Sequence, residues 1–480
     1  MMETEDRIIH EYDIMRVFAT VLVVIGHSVY LSMETPYGGV DYTGLLSLGN
    51  VARTAVWQGV SSVVRFIYSF HMPLFFLISG AVFMYEWNRG KYDGLEAFLI
   101  KKVKRLIVPA VTYGMLWVIP IKLIARFYNI NTAIAAISRI YSSEPGHLWF
   151  LYTLFYIFVI AFFLLRFSPL GEKKRILLLA VLLLIPLQHV LEVDILGQSD
   201  IFYYLVFFLL GCCFENYRKF FEAGRTAFKR GGAAACALLS VLLFQGVKAA
   251  ELSGRMLCDI LNTSYIAAVA LGLYLISSLL KKYLIANSAY RLLLKEIFNI
   301  YLLHDPLNYL ILFVVNKFLC ARLECEITAL LLVFSRTIGI LLLCLIISRL
   351  IAGCPFCLDY RILPVIFGIC LYITAINTQR GVELGWTYEE AGVDAKARFT
   401  ASKLTENVWS NGVSYEQFAV LAPYDGELYD ALEKSEALYT GNVRSTILNV
   451  ENVDGVWIMI TLDRDCDITA FSYPNAIMAY

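Results

Sequence analysis

Ten continuous apolar runs precede residue 350, each near the length at which a helix crosses a bilayer, about 17–25 residues. They lie at about 13–32, 63–85, 106–126, 148–166, 176–191, 201–217, 232–250, 263–280, 297–319 and 328–348. A run at 362–377, short and interrupted by Pro364 and Gly368, makes a candidate eleventh span. The runs are leucine-rich and unbroken, whereas strands of a membrane β-barrel alternate. The expected fold is therefore all-α and polytopic: a ten-helix bundle, an eleventh span, and a small α+β domain at the C-terminus. The chain is 59% hydrophobic and 17% charged, against about half and a quarter in soluble domains. The opening MMETEDRIIHEYD is polar and the first run holds an Arg and a His, so this end reads as a retained signal anchor rather than a cleaved signal peptide.

Loop charge orients the spans. One set of loops carries nineteen Lys and Arg, in the groups Arg89–Arg105, Arg166–Arg175, Arg218–Arg230 and Lys281–Lys295; the alternate set carries five, Arg53, Arg139, Lys248, Arg255 and Arg322. This places the N-terminus and the basic loops in the cytoplasm of a cell whose plasma membrane the chain spans. The net charge of zero hides a split, because residues 380–480 hold 16 acidic and 7 basic residues. The expected organisation is a membrane domain over 1–360, the eleventh span over 361–379, and an acidic, extracytoplasmic domain over 380–480. In that last domain Ser414–Leu438 reads as helical. Thr446–Thr469 alternates like strands about an Asp454-Gly455 turn. Of eleven cysteines, Cys354 and Cys357 form a lone CxxC with no second pair, which does not make a zinc site. No metal, tightly bound cofactor or nucleic-acid partner is expected.

Ionisable groups inside spans are costly and tend to face a bundle interior or a water-filled path. Arg16 and His27 lie eleven residues apart in the first run. At 100° per residue they return to within about 20° of one face, with a rise of roughly 16 Å. An Arg there can hold an anionic or carbonyl group, and a His deeper in can act as base or nucleophile. The alternative is an Arg snorkelling to the interface and a His satisfied by a backbone carbonyl.

Asp13, Arg16 and His27 together resemble the opening signature of the acyltransferase-3 family of membrane acyltransferases. Four further landmarks follow in family order: the stretch Phe70–Gly80 (FHMPLFFLISG), the basic segment Lys101–Pro109, His147–Leu151 (HLWFL), and Phe298–His304. The resemblance covers about residues 11–350. It implies a membrane O-acyltransferase that moves an acyl group, most often acetyl from cytoplasmic acetyl-CoA, to a hydroxyl of a cell-envelope or exported glycan. The acceptor could also be a lipid-linked sugar.

On that reading His27 and Arg16 are the catalytic pair, with His27 either a general base or a transiently acylated nucleophile. Lys104 and Arg105 are donor-binding. His71, His304, Asp13 and Arg336 support or line the site, with Arg336 otherwise an internal ion pair and the His304-Asp305-Pro306 sequence a helix kink. His147 and Trp149 lie on the acceptor side. His10 and His189 are structural. Some relatives carry an extracytoplasmic esterase-like domain with a Gly-Asp-Ser nucleophile, and residues 380–480 lack that motif. The rival function is a transporter or exporter of an acylated glycan or small metabolite. Against it, the sequence has no internal repeat and no matched pair of broken helices.

Overall fold

A computed structural model describes residues 9–351, except 36–37, 42–50, 52–53, 93, 129–132, 135, 138–139, 141–145, 188–199, 251–254 and 319–325, and short stretches within 418–479. The candidate eleventh span at 362–377 and His189 lie outside the described residues.

Among the described residues ten principal helices follow one another: α1 (His10–Val29), α2 (Ala55–Trp87), α3 (Leu95–Ile124), α4 (Trp149–Phe167), α5 (Lys174–Leu184), α6 (Ile201–Glu222), α7 (Thr226–Ala250), α8 (Arg255–Ala286), α9 (Ser288–Phe318) and α10 (Glu326–Ile351). Each lies over one of the expected apolar runs. Among the described residues eight are long and apolar enough to cross a membrane, all but α5 and α6. α5 has eleven residues before it tightens into a 3-10 turn at Ile185–Leu187. α6 is full length, but its last turns carry Glu215, Arg218, Lys219 and Glu222. That polar end is anchored, since Tyr12 of α1 donates to Glu215 at 2.6 Å and Arg218 pairs with both Glu215 and Glu222.

α2 and α6 cross at their backbones. A Cβ on Gly80 would stand 1.8 Å from the Phe208 carbonyl oxygen, and one on Gly211 would stand 1.9 Å from that of Leu77. Helices in lipid gain nothing from burying apolar surface against each other. They associate by close packing, and small residues permit it. The Cys212 thiol donates to the Gly80 carbonyl in the same crossing. A second close approach sets α1 against α2, because a Cβ on Gly26 would meet the Tyr68 ring at 2.4 Å.

α3 contains two π-helical segments, Val103–Ile107 and Gly114–Val118. Each ends just ahead of a proline, Pro109 or Pro120. A proline has no N–H to return to the preceding turn, and widening to i→i+5 bonding absorbs the defect. Arg105 thereby sits in a distorted turn. Between α1 and α2, β1 (Ser32–Thr35) and β2 (Gly38–Asp41) pair antiparallel.

Residues 371–480 form a separate compact unit. Its strands are β3 (Phe418–Pro423), β4 (Ala437–Thr440), β5 (Val443–Val453), β6 (Trp457–Leu462), β7 (Ala470–Tyr473) and β8 (Ala476–Ala479). They join in the order β3-β6-β5-β4-β7-β8, with every pairing antiparallel. Phe418–Pro423 is thus a strand where a helical stretch was expected. A six-residue apolar run is too short to hold a helix by itself, and β6 supplies pairing partners along its whole length. As an edge strand it also tolerates Pro423. β5 and β6 meet at Val453 opposite Trp457, flanking the expected Asp454-Gly455 turn.

Candidate active site

α1 carries Arg16 and His27 inward, and the eleven-residue spacing does return both to the bundle interior. They line two different cavities, however, not one groove. Arg16 lines a cavity of about 370 Å³ with Lys101, Lys102, Arg105, Glu86 and Tyr92. His27 lines another of about 640 Å³ with Tyr68, His71, His147, Trp149, His304 and Asp305. Phe75 of α2 and Tyr301 of α9 belong to the walls of both. These two side chains therefore form the partition between the Arg16 end and the His27 end.

At the first end, Arg16 Nη1 donates to Asp13 Oδ1 at 3.2 Å, which fixes the guanidinium within its own helix. Lys102 is buried, with its ammonium 3.3 Å over the centre of the Phe158 ring and the rings of Phe83, Tyr92 and Phe98 around it at 5.4–5.8 Å. Such contacts hold a cation that is largely out of water. Lys104 is exposed and absent from the cavity wall, since one residue along a helix turns a side chain by about 100°. The cations lining this cavity are Arg16, Lys101, Lys102 and Arg105, so of the two expected donor-binding residues Arg105 lies in its wall and Lys104 does not.

At the other end, His27 Nδ1 is 2.9 Å from Asp305 Oδ1. A carboxylate only accepts, so Nδ1 carries the hydrogen of this contact, and in the neutral imidazole Nε2 is then the nitrogen with the free lone pair. His147 Nδ1 stands 3.2 Å from the other oxygen, Oδ2, at ion-pair distance but outside hydrogen-bond geometry. The His304 ring lies between the two, 5.0 Å from each and edge-on. Its Nδ1 is engaged by the Ile300 and Tyr301 carbonyls at 3.1 and 2.8 Å. Carbonyls also only accept, so His304 Nδ1 is protonated and Nε2 is the basic nitrogen. His71 repeats the pattern on α2, with Nδ1 at 3.2 Å from the Ile67 and Tyr68 carbonyls.

Tyr68 packs its ring 4.6 Å from that of His71 and 6.0 Å from that of His27. Trp149 lies 5.3 Å from Tyr204, and both line the cavity, so this wall is aromatic. The fully buried Lys122 also approaches the centre, because a Cβ on Gly146 would meet Lys122 Nζ at 2.8 Å and Asp305 Oδ2 at 3.5 Å. Gly146 has φ +77°, a conformation that L side chains rarely adopt, and it starts the 3-10 turn that presents His147. The Tyr301 hydroxyl donates to the His147 carbonyl at 2.6 Å and holds that turn against α9.

Arg336 of α10 is 1% exposed and lies behind the site rather than in its wall. It donates to the carbonyls of Ser28 and Tyr30 and to Asn308 Oδ1. Pro306 sits inside α9 as expected. In the turn before it, the Leu303 carbonyl accepts from Trp117 Nε1 at 3.3 Å.

Sequence reasoning singled out His27, His71, His147, Trp149 and His304, and the fold brings all five to one cavity. It passed over Asp305, which reads as part of a kink, placed Lys102 among the cations at the inner mouth without giving it a specific role, and gave no weight to Tyr68, Lys122 or the Phe75–Tyr301 partition. A signal for Asp305 was present, for an acid within a span needs a buried partner, and histidines were the available ones. Among the described residues no group of three or more His, Cys, Asp or Glu is arranged to hold a metal ion.

The site can bind an anion at one end and move a proton at the other, through a histidine held by a carboxylate. In comparison with known families, a model described as an acyltransferase domain matches residues 9–349. No curated protein matches the chain. No solved structure matches it either.

Proposed function

Because the chain belongs to the acyltransferase-3 family of membrane acyltransferases, we propose that it carries an acetyl group from acetyl-CoA to a sugar hydroxyl. The donor is cytoplasmic and anionic, and the acceptor is a cell-envelope glycan or a lipid-linked sugar. The observation that carries the reading is the His27 Nδ1 contact with Asp305 Oδ1. A carboxylate on Nδ1 holds the imidazole in one tautomer and stabilises the imidazolium once a proton arrives at Nε2.

CoA is highly charged, and Arg16, Lys101, Lys102 and Arg105 line the smaller cavity. Nineteen against five basic residues in alternate loops support a cytoplasmic location for that end. The thioester arm would pass Phe75 and Tyr301 to reach the larger cavity. There His27 Nε2 takes the proton of the acceptor hydroxyl as its oxygen attacks the thioester carbonyl. The tetrahedral intermediate collapses, the C–S bond breaks, and the imidazolium returns the proton to the leaving thiolate. Ester and free CoA result, with no other co-reactant. This assigns His27 as general base in preference to acylated nucleophile. The aromatic wall at Trp149 and Tyr204 suits the apolar face of a sugar ring. The eleventh span and the extracytoplasmic placement of residues 380–480 belong to the same proposal.

Labelled acetyl-CoA offered with a panel of sugars to the purified chain tests it. Transfer of label to a sugar hydroxyl is expected, and label retained on His27 would replace the base with a nucleophile. No consumption of thioester with any acceptor would favour the exporter.

A further inference from the structure

We infer that Arg336 is a positioning residue that fixes His27 against Asp305 by tying the last turn of α1 to α9. The inference rests on the reading of His27 and Asp305 as the reacting pair. α1 ends at Val29, so the carbonyls of its last turn have no partners within the helix. His27 lies in that turn. Tyr30, which follows, leaves the helix in an extended conformation.

Arg336 supplies what is missing from a helix 306–308 residues away in sequence. Its Nη1 donates to the Ser28 carbonyl at 2.8 Å and to the Tyr30 carbonyl at 3.0 Å. A cation at a helix C-terminus also meets the favourable end of the helix dipole. Nη2 donates to Asn308 Oδ1 at 3.0 Å. Asn308 lies three residues beyond Asp305, one turn along the same face of α9, and its own Nδ2 donates to the His304 carbonyl at 3.3 Å. A single planar guanidinium therefore grips the residues just after His27 and the residue one turn from Asp305. Beside it, α1 and α9 meet at this level through the 2.9 Å His27–Asp305 contact that catalysis uses and the edge-on packing of the His27 and His304 rings at 5.0 Å. The fork geometry matters, since a lysine is a point donor and cannot hold both ends.

The test uses the full-length chain in detergent, with two readouts. In acetyl-CoA turnover, Arg336→Gln is expected to lower kcat by about 10- to 100-fold, the order expected of a small misplacement, with donor KM little changed. The same substitution made on Asp305→Asn should cost at most about twofold more, because residues acting as a unit do not add. Hydrogen exchange read independently of activity should become faster in the segment covering residues 24–31 and stay unchanged across α2 and α6.

Unchanged exchange at 24–31, a full multiplicative loss on Asp305→Asn, or faster exchange through every helix would each overturn the inference. If Arg336→Gln does not accumulate, Asn308→Ala cuts the other end of the same tie and is read in the same way. Failure of both to accumulate would make the arginine a folding requirement and overturn the inference too. A wild-type chain that consumes no acetyl-CoA would sink the functional reading, while exchange would still judge the brace.

Discussion

Asp305 and His27, 278 residues apart in sequence, meet at 2.9 Å in the interior of the bundle. The oxygen of Asp305 that does not touch His27 faces His147. One carboxylate thus serves two imidazoles contributed by α1 and by the 3-10 turn before α4. Asp305→Asn preserves the shape but allows the amide to present an N–H to His27, which favours the wrong tautomer. It is expected to lower kcat by about 10²–10⁴-fold, the range spanned by general acid–base assistance, with KM for the donor nearly constant. Steady-state acetyl-CoA turnover checks this, and an effect on KM alone would move Asp305 out of the chemistry.

The smaller cavity gathers four cations, and Arg16 is the one fixed by an acidic neighbour of its own helix. Arg16→Gln is expected to raise donor KM by about tenfold or more, the loss of one charge-assisted hydrogen bond of roughly 1.5–3 kcal/mol. Arg105→Gln should act in the same direction, whereas Lys104→Gln should leave KM unaltered, because Lys104 is outside that wall. Donor titrations of the three variants separate these outcomes.

Gly146→Ala brings two penalties together. Its φ of +77° is strained for alanine, and the new methyl would stand 2.8 Å from Lys122 Nζ. A loss of about 1–3 kcal/mol in stability is expected, with turnover falling because the turn carries His147. Thermal unfolding in detergent, measured beside turnover, reads both effects.

Gly211→Ala and Gly80→Ala test the α2–α6 crossing. Either methyl would lie within 2 Å of a backbone carbonyl, and backbone cannot swing aside as a side chain can. Destabilisation of about 1–3 kcal/mol is expected for each. Gly59→Ala, with nothing within 4 Å of the added Cβ, serves as the control.

The spans were legible because a helix that crosses a bilayer must be long and apolar, and that constraint is local. α6 escaped part of it, since Glu215 and Arg218 satisfy each other and Tyr12 rather than water. The inward face of α1 was legible for a similar reason: helical periodicity alone puts Arg16 and His27 on one side. Two features were not. The partition at Phe75 and Tyr301 depends on how α2 and α9 pack, and nothing in a phenylalanine or a tyrosine marks it as a divider. The role of Asp305 depends on a contact between α1 and α9, while its local context, Asp before Pro, reads as a kink. Arg336 drew notice as a buried charge, and its partners include two carbonyls of α1's end and the Asn308 amide oxygen, which no local sequence pattern marks.

The most direct measurement is the rate of labelled acetyl transfer from acetyl-CoA in a cycle of His27→Ala, Asp305→Asn and the double variant. If Asp305 works through His27, the double variant transfers no more slowly than His27→Ala alone, and His27→Ala is at least about 10²-fold below wild type. Transfer that survives His27→Ala, or a double variant slowed by the product of the two single effects, would contradict the account.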